Sequence, residues 1–82
     1  MDKDYRTEIV SLIKILGYPH NEVVCSIIMS KHEVSSLFYD KTTDKVTLCH
    51  WYDEYEFQFD YDDLSNLDKK LVIMELRKYI LN

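Results

Sequence analysis

The 82-residue chain contains one glycine, one proline and two cysteines, and each scarcity excludes a class of structure. A single glycine leaves no room for a glycine-rich phosphate loop or a flexible linker. The two thiols, Cys25 and Cys49, lie outside any C-x-x-C element and no secretory leader precedes them, so they read as free thiols of a cytoplasmic protein. No apolar run approaches the roughly 20 residues that a membrane-spanning helix needs. Positive charge is missing locally: residues 49–68 hold seven acids and no Lys or Arg, whereas residues 1–48 hold seven acids against six Lys or Arg. The net charge of -5 argues against direct binding to nucleic acid or to anionic lipid.

What the chain does have is a hydrophobic share of 46% and an aromatic share of 13%, the composition of a folded domain. Residues 1–82 read as one small α+β domain with a modest core, which does not support a large catalytic cleft.

The clearest pattern is the run from Glu54 to Asp62. Tyr55, Phe57, Phe59 and Tyr61 alternate with Glu54, Glu56, Gln58, Asp60 and Asp62, which is the period of an extended strand. The aromatic side is predicted to face the core and the acidic side to face outward. Upstream, Asp2 or Asp4 is placed to cap a helix that reaches about Leu16, with Tyr5, Ile9, Leu12, Ile13 and Leu16 on one side. Gly17 is expected to end it in the left-handed conformation, and Pro19 prevents its resumption.

Residues 22–30 suit either a short buried helix or a strand, and their β-branched content favours the strand, with Val23, Cys25, Ile27 and Met29 inward. Val34–Tyr39 and Val46–Trp51 read as a hairpin closed by the polar loop 40–45. Ser65 followed by Asp68 has the spacing of a capping box and opens a last helix from about Asn66 to Leu81. The predicted fold is α-β-β-β-β-α: an antiparallel three- or four-stranded meander, with the N-terminal and C-terminal helices packed on one sheet face.

The last helix carries two apolar zones. Val72, Ile73, Leu76, Tyr79 and Ile80 form the broad one, and Leu67, Leu71, Met74 and Leu81 form the other. The second zone is expected to pack against the first helix, with a homodimer seam as the alternative.

Tests for chemistry return little. His20, His32 and His50 sit in three separate segments, and Cys49 and His50 point to opposite sides of a strand, so a zinc site is not expected. The Asp60, Asp62 and Asp63 cluster is the one plausible place for a cation, against a solvated strand end. No nucleophile elbow such as G-x-S-x-G is present. The chain is therefore read as a non-enzyme without cofactor, metal or catalytic residues.

The acidic residues Asp53, Glu54, Glu56, Asp60, Asp62 and Asp63 remain as the candidate partner-binding face. Their expected role is to capture a protein with a basic surface. In its extreme form this is an inhibitor or adaptor whose strand carboxylates imitate the charge spacing of a nucleic-acid backbone. The alternative is a structural, homodimerising domain whose acids serve solubility only.

Overall fold

The structure, a computed structural model, describes residues 5–17, 19–29 and 31–81. In chain order these form α1 (Tyr5–Leu16), β1 (Glu22–Ile28), β2 (Glu33–Asp40), β3 (Lys45–Tyr52), β4 (Tyr55–Asp60), a 3₁₀ turn (Tyr61–Asp63) and α2 (Asn66–Leu81). The four strands make one antiparallel sheet in the order β1-β2-β3-β4, so residues 22–28 are a strand and the meander has four members. No helix among the described residues is long and apolar enough to cross a membrane.

Sheet register explains how the core is built. Val23 lies opposite Leu37, Leu37 opposite Leu48, and Leu48 opposite Phe59, giving one apolar row across all four strands. Onto this face α1 brings Ile9, Leu12 and Ile13, and α2 brings Val72, Ile73 and Leu76, all buried in a single cluster. The period of 2 in the strands meets the period of 3.6 in the helices there. Both helices lie on that side, so the opposite sheet face stays open.

The connections follow local chemistry. Ser65 accepts the Asp68 N–H at 3.2 Å through Oγ, and its carbonyl accepts the Lys69 N–H, which satisfies donors at the start of α2. At the β2–β3 loop Asp40 Oδ1 accepts the Thr42 N–H at 2.8 Å, a bond that holds its carboxyl below the ordinary value. The Tyr39 hydroxyl donates to Asp44 Oδ1 at 2.7 Å. Asp44 and Asp53, both in turns, have φ of 57° and 54°, a region that Asp tolerates better than bulkier residues.

Gly17 does not adopt the expected left-handed conformation. Its N–H bonds to the Ile13 carbonyl at 2.6 Å, and a Cβ at this position would lie 2.5 Å from Asn21 Cα and 2.7 Å from the Ile13 oxygen. Close approach of the next segment demands glycine here, and the positive φ falls on Asn21 at 58°. The expected caps Asp2 and Asp4 lie outside the described residues.

A bulge in β1 falls between Val24 and Ile27, where two residues of one strand oppose one of the other. The Tyr79 hydroxyl of α2 accepts the Ser26 N–H at 3.3 Å, so the helix supplies the acceptor that the interrupted ladder lacks.

Tyr61 is the largest fully buried side chain, and its hydroxyl donates to the Lys69 carbonyl at 3.1 Å. Burial pushes its phenol well above the ordinary value of 10.0. The folded state keeps Tyr61 protonated where the unfolded chain ionises it, so its contribution is complete below about pH 10 and declines as pH rises further. Tyr61→Phe should lower stability at pH 7 by about 1 kcal/mol through the lost hydrogen bond. It should also make stability fall less steeply between pH 9.5 and 11. Urea titrations at pH 7, 9.5 and 11 test this, and equal slopes in the two proteins would contradict it.

Candidate functional site

The alternation in β4 has an endpoint that the sequence pattern does not show. The strand is Tyr55–Asp60, shorter at both ends than the predicted run. Glu54 belongs to the turn that joins it to β3, and Asp62 to the 3₁₀ turn. Its aromatic side is not uniformly core: Tyr61 is buried, Phe59 half-buried, and Phe57 and Tyr55 exposed. The helices cover one end of the sheet, and the β3–β4 hairpin projects past them.

The open face can be described row by row from the register. Glu22, Phe38, Thr47 and Asp60 form one cross-strand row, Val24, Ser36, Cys49 and Gln58 the next, and Trp51 with Glu56 a third. Between these rows lies a concavity of about 470 Å³, bordered also by Asp40, Thr43 and Lys45. Phe38 is half-buried and Trp51 more than half exposed, so two aromatic rings stand on a face shared with exposed Val24, with Lys45 and with small polar and acidic side chains.

The six acids singled out from the sequence do not form one strip. Glu56 lines the open face. Asp60 is on the same side, but its carboxylate accepts the Asp62 N–H at 3.0 Å and caps the 3₁₀ turn. Asp53 and Glu54 occupy the hairpin turn, and Asp63 is exposed on the 3₁₀ turn. Asp62 is taken by Arg6 at 3.2 Å, and the same guanidinium reaches Asp44 at 3.1 Å. A cation supplied by α1 therefore partly neutralises a segment that has none of its own.

Two carboxylates that sequence reasoning left out, Glu22 and Asp40, replace those that are missing. They open β1 and close β2, and pairing brings them to the same face as Glu56. Phe38 and Trp51 were also missed as surface features, because hairpin alternation alone does not tell which face the helices will cover.

The thiols differ in setting. Burial pushes Cys25 up to about 12. Cys49, buried in the middle of the open face, is also raised, by burial first and then by the neighbouring Glu56, while Ser36 opposes the shift. Both are free of disulfides, and both are held as neutral thiols at physiological pH.

A second cluster lies near the projecting hairpin. Ser35 Oγ is 3.3 Å from His50 Nδ1 and receives the Trp51 N–H at 3.5 Å. His50 Nε2 is 3.9 Å from Glu33, beyond hydrogen-bond range. The composition is that of a Ser-His-Glu triad, but the geometry is that of a patch in the sheet. The β2–β3 ladder runs only as far as Ser36 opposite Cys49, and the Ser35 side chain takes the next N–H in place of a backbone carbonyl. The His32 ring packs on Phe59, with centroids 4.7 Å apart. Among the described residues no three His, Cys, Asp or Glu converge as a metal site.

The second apolar zone of α2 is not covered by α1. Leu67 is 63% exposed, Met74 44% and Leu81 84%, and Leu71 is half-buried. The reason is rotational: the helix turns Asp68, Val72, Ile73 and Leu76 to the core, which puts this zone on the side away from the sheet. Helix α1 lies along its flank, joined by an Arg77–Glu8 ion pair.

In comparisons with known proteins, no family model matches this chain, and no curated protein or solved structure matches it either.

Proposed function

We propose that the chain is a small protein-interaction module, an inhibitor or adaptor, that binds a basic protein segment across its open sheet face. The observation that carries this reading is the composition of that face: Phe38 and Trp51 set among Glu22, Asp40 and Glu56, with Lys45 the one cation lining the concavity among the described residues. Aromatic rings in a shallow depression supply the apolar anchor that interfaces use, and carboxylates around them select for Lys and Arg and speed encounter. An imitation of nucleic-acid charge spacing is not retained, because Glu54, Asp60 and Asp62 are drawn away from a regular row.

Trp51 is the only tryptophan, so its fluorescence reports on the face directly. Titration with an amphipathic peptide of alternating lysine and leucine should shift its emission. Glu22→Lys with Glu56→Lys should weaken that binding at least tenfold and leave the fold intact, since both side chains are exposed. Raising salt from 50 to 300 mM should weaken the wild type in the same direction. Undiminished binding by the charge-reversed protein would remove the basis of the proposal.

A further inference from the structure

Among the described residues, two of the uncovered surfaces are opposites in character. The open sheet face is acidic, with rings at Phe38 and Trp51. The outer face of α2 is an apolar stripe of Leu67, Met74 and Leu81, spaced by sevens, with Lys70 and Lys78 along its margins. Lys78 is held by Glu75 at 2.8 Å, while Lys70 enters no ion pair among the described residues.

From this pairing we infer that the occupant of the open sheet face is the α2 outer face of a second copy of the chain. The inference rests on the open face being a binding surface, and it names what that surface takes.

Dimensions agree. The 16 residues of α2 span about 24 Å at 1.5 Å per residue, and the eight residues of β3 span about 27 Å at 3.4 Å per residue. Seating a helix on the bare side of the sheet would complete a helix–sheet–helix sandwich, a standard way of burying both faces of a sheet.

Charge decides against the other way to cover the stripe. Two α2 helices packed on each other would bring Lys70, Arg77 and Lys78 against the same residues of the partner copy, with half-buried Glu75 as the one acid of the helix outside the core in return. Docked on the sheet, the same cations meet Glu22, Asp40 and Glu56.

Such a contact joins two different surfaces, so each dimer still has one free sheet face and one free helix face. Association should continue past two copies unless a ring closes. A copy seated in this way also excludes an outside basic ligand, so self-association and peptide binding compete.

Sedimentation velocity over 5–500 µM at 50 and 400 mM salt reads the association. The wild type should grow with concentration at low salt and do so less at high salt. Leu67→Asp with Met74→Asp disables the helix face, and Glu22→Lys with Glu56→Lys disables the sheet face. Each variant alone should stay at the monomer mass of 9.9 kDa, and their equimolar mixture should give a dimer of twice that mass that does not grow.

A charge swap provides a helix-side test that keeps the apolar stripe. Lys70→Glu with Lys78→Glu should abolish association in the otherwise wild-type protein, and combining it with Glu22→Lys and Glu56→Lys should restore it. A wild type that remains monomeric throughout overturns the inference. So does a sheet-face variant that still dimerises alone, which would assign the stripe to a helix–helix seam. Peptide binding at Trp51 without self-association would overturn the second-copy occupant alone and leave the binding face standing.

Discussion

Gly17→Ala should destabilise the protein by about 3 kcal/mol or more, a larger loss than the helix propensity of alanine would suggest. Alanine is the better helix former, and no left-handed backbone stands in its way at this position. The obstacle is backbone on two sides. A methyl group would lie 2.5 Å from Asn21 Cα, 3.0 Å from Asn21 C and 2.7 Å from the Ile13 carbonyl oxygen.

Neither neighbour can yield alone. The Ile13 carbonyl is the acceptor for the Gly17 N–H, and the Asn21 carbonyl accepts the Tyr39 N–H at 3.1 Å, which ties the entry of β1 to β2. Moving Asn21 would therefore disturb both the helix end and the first strand pair. With an m value of about 1 kcal/mol/M for a chain of this size, the urea midpoint should fall by roughly 3 M. A shift under about 0.5 M would show that the 17–21 connection relaxes freely.

Gly17 also illustrates what the sequence could and could not disclose. That the helix stops there was legible, because one glycine followed by a proline is a strong local signal. The physical role of the glycine was not, since it depends on where Asn21 returns in space. Elsewhere the local signals sufficed: Ser65 caps α2 as its spacing predicts, and alternation in residues 34–39 and 46–51 yields the central hairpin. The choice of strand for residues 22–30, decided by β-branched content, agrees with the structure over Glu22–Ile28.

The candidate site was less legible, for a reason of the same kind. Alternation divides β4 into two sides but says nothing about how far the helices extend over either. Glu54 and Asp62 continue the pattern in sequence, yet a two-residue turn and a 3₁₀ turn remove them from the strand. Arg6, 56 residues away from Asp62 in sequence, then claims one of the acids. Glu22 and Asp40 join the face only because the register places strand ends side by side. Pairing across strands, which carries most of the site, leaves no mark within any one segment.

The sharpest expression of this two-sidedness is a pair of adjacent residues in β3. Leu48→Ala should cost roughly 3–5 kcal/mol, whereas Cys49→Ser should stay within about 1 kcal/mol. Both side chains are buried, so burial alone would forecast similar losses. Leu48 points to the helices and lies between Leu37 and Phe59 in the apolar row. Truncating it leaves a cavity beside fully buried Leu37 and half-buried Phe59, in a close-packed row with little room to move.

Cys49 points the other way, between Ser36 and Gln58 and near Glu56, in polar company that accepts a hydroxyl in place of a thiol. For 82 residues a total stability of roughly 4–12 kcal/mol is expected, so Leu48→Ala removes a large part of it, whereas Cys49→Ser leaves the fold to serve as a probe of the open face. Thermal and urea unfolding of the two variants measures the difference directly. Equal losses would mean that the open face is packed as tightly as the helix-covered one, and a face so packed has no depression in which a partner's side chains could sit.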